Sequence, residues 1–231
     1  MILIVVTSSQ RSTASASCPQ YKDCPVRFRT RAISLLKPFC ICCKSFDHNG
    51  LGLSRAFCVG RNMASYDYGK IEIANYIYQN FSQGSTCLDV GACDGKWHDL
   101  LGHYLIMDAV EIWAPNIRAH RLKDKYRRVW ECDAYDFMYD HYDLILFGDV
   151  IEHMTVDRAQ RVLDYARGRC RDMIIGVPYL YPQDEIYGNP YERHIQPDLT
   201  DRIFNERYPG FELLCQPIPD YAYYHIGEAD G

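Results

Sequence analysis

Thr86-Cys87-Leu88-Asp89-Val90-Gly91-Ala92-Cys93-Asp94-Gly95-Lys96-Trp97 reads as a buried strand delivering the chain to a ligand-binding turn. A short apolar run ends in an acid and then a glycine-bearing turn, and a helical pattern follows. In open parallel sheets, ligands bind outside the carboxyl end of such a strand. Glycines there let the backbone approach a ligand with no Cβ in the way. Asp89 is placed for a polar or cationic part of that ligand.

The chain after this stretch alternates strand and helix. Ile106–Glu111 is expected as a second strand ending in an acid, 128–132 as a third ending at Asp133, and the apolar run 142–147 as a buried fourth. A fifth strand is expected at 173–177, with helices at 96–104, 114–125, Val156–Arg167 and 198–207. Pro115 falls in the first turn of its helix, where proline is tolerated. Before the opening stretch, Ile71, Ala74, Ile77 and Tyr78 recur at helical spacing over 68–81. Two closing strands, 211–216 and 221–226, are near enough to pair antiparallel. This order implies an α/β fold, a doubly wound, mostly parallel sheet with an antiparallel C-terminal hairpin. The long segment 178–197 is polar and aromatic, the kind of loop that carries function on a compact domain.

Composition divides the 231 residues near Met63. Residues 1–62 hold nine Lys/Arg against two Asp/Glu, and the remainder holds 16 against 28. Tyrosine divides likewise, with Tyr21 before the boundary and eighteen after it. The expectation is a basic, poorly ordered, Cys-containing extension over 1–62 and a folded domain over 63–231. Cys40 and Cys43 have zinc-knuckle spacing, with Cys18, Cys24, Cys58 and His48 as further ligand candidates, but a second knuckle is missing. An odd total of 11 Cys without a secretory signal points to a reducing, cytoplasmic setting. No run approaches the ~20 apolar residues of a membrane-spanning helix, so no membrane partner is expected. The acidic main domain does not favour extended nucleic-acid contacts.

Four expected strands end in polar groups, at Asp89/Gly91, Glu111, Asp133 and Gly148/Asp149. Glu111 lies 20 residues beyond Gly91, the interval at which an acid takes the ribose hydroxyls of a bound nucleoside. On these residues the sequence resembles the class I S-adenosylmethionine-dependent methyltransferases, from about Tyr68 to Ile226. LDVGACDG is similar to the family's first motif, and the resemblance implies that Asp89, Gly91, Ala92 and Gly95 hold the methionine end of S-adenosylmethionine. It implies ribose binding by Glu111, adenine contacts by Asp133 and Ala134, and a role for Asp149 in FGDVIEHM after the fourth strand. The seven-stranded, Rossmann-like pattern with its final hairpin also belongs to this family. The sequence departs from it at Cys93, which stands where the middle glycine of Gly-x-Gly-x-Gly is usual.

A nicotinamide dinucleotide is the rival ligand, in an oxidoreductase; a non-catalytic nucleoside-binding module is the other alternative. The dinucleotide would need Gly-x-Gly-x-x-Gly to seat its pyrophosphate on a helix N-terminus. Gly91-x-Cys93-x-Gly95 lacks that spacing, and Asp89 and Asp94 would face two phosphates. A sulfonium and an ammonium, by contrast, are helped by acids. For proton removal from the methyl acceptor, His153 and His194 have a suitable intrinsic pKa and are the candidate catalytic residues. Asp149, Glu152 and His153 would share one face of a helical turn, and with His194 they form a ligand set for a divalent metal. The reading adopted is methyl transfer without a metal, to an oxygen or nitrogen of a small molecule.

Overall fold

The computed structural model describes residues 67–227, and the expectations for 1–62, including the Cys40/Cys43 grouping, lie outside the described residues. Seven strands form one sheet in the order β3-β2-β1-β4-β5-β7-β6. At its centre is β1 (Thr86–Val90), parallel to β2 (Ile106–Glu111) on one side and to β4 (Tyr142–Gly148) on the other. Beyond β2 lies the short β3 (Val129–Glu131), and beyond β4 lies β5 (Cys170–Pro178), both parallel. β7 (Tyr221–Gly227) then inserts antiparallel between β5 and β6 (Glu212–Ile218). The strand order reverses between β1 and β4, which opens a crevice at their carboxyl ends.

Alternation along the central strands explains why this sheet is covered on both faces. Leu88, Val90, Ile145 and Phe147 point into one apolar cluster, completed by Ala159, Val162 and Leu163 of α5 (Val156–Arg167). Cys87, Leu144 and Leu146 point into the other, completed by Ile73 and Ile77 of α1 (Lys70–Asn80) and Leu101 of α2 (Lys96–Leu101). Continuous apolar runs such as Leu144–Phe147 are needed because neither side faces water.

Several helices differ from the sequence expectation. In α1 the buried face is Lys70, Ile73, Ala74 and Ile77, whereas Ile71 is 60% exposed. The expected single helix over 114–125 is two, α3 (Ala114–Ala119) and α4 (Leu122–Lys125), because Arg121 takes a left-handed conformation at φ +52°. That break buries Leu122 completely and lets the following Tyr126 reach under β1. The final helix, α6 (Asp201–Arg207), starts three residues later than expected, where the Thr200 hydroxyl accepts the Ile203 N–H.

Away from the crevice, Asp108 of β2 is fully buried and ties its strand to the segment leading into β3 and to the start of β4. It accepts from Arg127 at 2.9 and 2.7 Å, from Arg128 at 3.1 and 2.7 Å, and from the Tyr142 hydroxyl at 2.9 Å. Burial pushes its carboxyl up, but the guanidiniums and the hydroxyl outweigh burial and hold its pKa at about 2. Both arginines are about half exposed, so the loss on neutralising Asp108 falls below that of a fully buried pair. Asp108→Asn is expected to lower the unfolding free energy by about 2 kcal/mol at neutral pH. A depressed native pKa contributes stability above the unfolded value and loses it as pH falls, so the deficit should shrink between about pH 4 and pH 2. Urea titrations showing equal stability at pH 7 would contradict this account.

Candidate functional site

The turn after β1 owes its shape to three left-handed residues in alternation: Gly91 at φ +73°, Cys93 at +49° and Gly95 at +80°. A Cβ on Gly91 would come within 2.6 Å of Val150 Cγ2, so the turn can lie against the segment after β4 only with glycine there. Cys93 holds its conformation at a cost on the order of 1 kcal/mol. Its backbone N–H offsets this by donating to Glu111 Oε2 at 2.7 Å, while the Asn116 amide reaches its sulfur at 3.7 Å. The side chain that replaces the usual glycine therefore fits the turn.

Glu111, at the end of β2, is 4% exposed and also accepts the Trp113 N–H through Oε1 at 2.7 Å. Burial raises its pKa, and the Trp113 and Cys93 amides counter that rise. The Asn116 side-chain amide counters it as well. Asp133 follows β3, where it accepts the Tyr135 N–H at 2.8 Å and an Arg158 guanidinium at 2.6 Å. Asp149 stands left-handed at φ +57° after β4 and accepts the Tyr221 hydroxyl at 2.7 Å. Asp89 is 1% exposed, accepts the Tyr126 hydroxyl at 2.5 Å through Oδ2, and leaves Oδ1 without a hydrogen bond. Burial pushes its pKa up to about 7 against the opposing pull of Tyr126 and Lys70.

These groups surround a cavity of about 320 Å³ at the carboxyl ends of β1, β2, β3 and β4. Gly91, Ala92, Glu111, Asp133, Ala134, Asp149 and His153 line it. Asp89, Gly95 and His194 are not among the lining residues; Asp89 lies within β1 and Gly95 is the N-cap of α2. Among the lining residues that the sequence reading missed are Lys70, Trp97, Asn116 and Arg158. Lys70 is 5% exposed, with its ammonium 5.0 Å from the Trp97 ring centre. As the first residue of a helix it carried no sequence signal of burial. Arg158 shows only as one more charge on an amphipathic helix, although its pairing with Asp133 places it at the wall.

The loop between β5 and α6 forms the remaining wall through Asn189, Tyr191, Glu192 and Ile195. It is fastened to the segment after β4 by the Ile195 and Gln196 N–H groups, both donating to the Glu152 carbonyl, at 2.8 and 3.0 Å. The buried Gln196 amide also donates to the Ile151 and Met154 carbonyls. Trp113 touches Tyr191 edge-on, with ring centres 6.0 Å apart. Burial, with Glu111 nearby, pushes the Glu192 carboxyl up to about 7.

The expected helical turn carrying Asp149, Glu152 and His153 on one face is not formed. Residues Ile151–His153 make a single 3-10 turn, and the left-handed Asp149 precedes it out of helical phase. The structure instead gathers Glu152, His153 and His194, with one ligand atom from each within 4.8 Å of the others. The two imidazoles stand edge to face, their centres 4.7 Å apart. Burial and the neighbouring His194 push the His153 pKa down to about 4, and burial lowers that of His194, so both rings are neutral at pH 7.

No family model and no curated protein matches this sequence. Solved structures do match its fold. An S-adenosylmethionine-dependent methyltransferase from Clostridium acetobutylicum superposes with a TM-score of 0.55 at 13% identity, covering 71% of this chain and 93% of the other. The 1,6-didemethyltoxoflavin N1-methyltransferase of Burkholderia thailandensis, with S-adenosylhomocysteine bound, gives 0.53 at 17% identity, covering 71% and 80%. Magnesium protoporphyrin IX methyltransferase of Synechocystis, with S-adenosylmethionine bound, gives 0.51 at 11% identity, covering 69% and 78%. The described domain thus has the seven-stranded, Rossmann-like fold of these methyltransferases.

Proposed function

We propose that this chain transfers the methyl group of S-adenosylmethionine to an oxygen or nitrogen of a small molecule. The observation that carries the reading is the charge of the cavity wall. Five carboxylates, Asp94, Glu111, Asp133, Asp149 and Glu192, line it against three cationic side chains, Lys70, Lys96 and Arg158. An acid surplus suits a ligand that carries a sulfonium and an ammonium and no phosphate, and it disfavours a dinucleotide. The fold adds that solved structures of the same architecture hold this nucleoside or its demethylated product.

In this reading Glu111 accepts the ribose hydroxyls, and Asp133 with Ala134 borders the adenine. Gly91 and Ala92 allow close approach of the backbone, with Gly95 setting the turn from behind. Asp149 and the orphaned Oδ1 of Asp89 complement positive charge. The bound cofactor supplies an activated methyl on sulfur. The chain contributes orientation of the acceptor for in-line attack and exclusion of water by the 178–197 loop. Handling of the acceptor's proton falls to the His153–His194 pair, because His153 lies on the wall and both rings are neutral.

Two outcomes follow. Glu111→Ala is expected to weaken S-adenosylmethionine binding at least tenfold, or about 1.4 kcal/mol, and to abolish transfer of labelled methyl to a pool of hydroxyl- and amine-bearing metabolites. Tight binding with no labelling of any acceptor by the unaltered chain would favour a nucleoside-binding module instead. Because Glu192 ionises near 7 in the empty cavity, affinity for the cationic cofactor should rise from about pH 6 to about pH 8. Glu192→Gln should make that rise shallower, and an unchanged slope would remove Glu192 from the site.

A further inference from the structure

Glu152 is 1% exposed, and neither of its carboxylate oxygens has a hydrogen-bond partner among the described residues. A buried carboxyl without partners costs several kcal/mol unless something completes it. Beside it stand two imidazoles whose protonation pattern is set by the backbone. His153 Nδ1 lies 3.2 Å from the Arg193 carbonyl, and His194 Nδ1 lies 2.6 Å from the Tyr181 carbonyl. A carbonyl can only accept, so each Nδ1 carries the proton and each Nε2 presents a lone pair. A backbone carbonyl holding the remote N–H is the arrangement by which proteins fix metal-binding histidines in the ligating tautomer.

We infer that Glu152, His153 and His194 form a binding site for a divalent transition-metal ion next to the cavity, whose wall His153 lines. Two neutral imidazole nitrogens and one carboxylate oxygen are a donor set for zinc and its neighbours rather than for magnesium or calcium. The three ligand atoms already lie within 4.8 Å of one another, so small side-chain movements suffice to close them on an ion. Asp149, which sequence spacing placed in the set, is absent from it; its Oδ1 accepts the Tyr221 hydroxyl.

The ion would join the turn after β4 to the 178–197 loop, adding a coordinate link to the Glu152 carbonyl bonds already there. His153 borders the cavity. With the ion bound, the Nε2 lone pairs of both imidazoles are taken up in coordination, so in the loaded chain the ion would replace the pair as the group that acts on the acceptor's proton, lowering the pKa of a ligated hydroxyl whose proton leaves to solvent. That role rests on the methyl-transfer reading, whereas the binding of the ion does not.

The test uses the full chain, stripped with chelator and dialysed against Zn²⁺ or Co²⁺ without any nucleoside present. Metal content is measured by mass spectrometry and cobalt geometry by visible absorption. The unaltered chain is expected to hold one equivalent more than His194→Ala, with a cobalt spectrum of low-coordinate nitrogen and oxygen ligation that the variant lacks. Comparing the two chains cancels any ion taken by the N-terminal cysteines. Glu152→Gln, nearly isosteric, is the second variant should His194→Ala fail to fold, and should weaken binding at least about tenfold. Equal metal content in the unaltered chain and a folded variant would overturn the inference. A chain that fails to bind S-adenosylmethionine still reports on the ion, which keeps the two failures apart.

Discussion

Glu111 accepts the backbone N–H of Cys93 from the turn after β1 and that of Trp113 from its own turn, and the geometry of the cavity depends on this pair of bonds. A buried carboxylate with two amide donors is fixed in place. It draws the left-handed 91–95 turn over the end of β2 and starts the chain into α3. Asp89 gives similar support from below, through the Tyr126 hydroxyl that the break at Arg121 delivers. The cradle is thus a set of backbone turns held by acids from adjacent strands, and the strand order places those acids side by side.

The two ends of the sheet divide the work. Away from the cavity, Asp108 is saturated by two guanidiniums and a hydroxyl, which stabilises the charged form. At the carboxyl ends the acids are left short of partners or close to one another, so Asp89 and Glu192 are both pushed up to about 7. Unsatisfied acids lower stability, and a cation arriving in the cavity recovers that energy as binding. The same logic applies to Glu152, at the edge of the cavity, where neutral imidazoles are the nearest candidates to share a cation with it.

Most of the fold was legible because strand burial leaves a plain sequence record. The run Leu144–Phe147 can be apolar on both faces only in a covered parallel strand, and acids at successive strand ends follow from where such strands terminate. Positions set by tertiary contacts were not legible. Lys70 reads as a solvent residue and lies at the wall beside Trp97, and the 114–125 helix is broken at an ordinary arginine. Asp149 and His153 share a helical face by spacing, yet Asp149 is itself left-handed, which spacing cannot show, and so falls out of helical phase. His194 joined the candidates by residue type and loop position; its meeting with His153 depends on how residues 178–197 fold back onto the Glu152 carbonyl.

The central claim is that this cavity is built for a phosphate-free nucleoside carrying positive charge. Calorimetric titration of the full chain with S-adenosylmethionine and, separately, with NADH tests it most directly. The account predicts saturable one-to-one binding of S-adenosylmethionine and none of NADH at the same concentrations. Tight binding of NADH, with no heat from the other ligand, would contradict it.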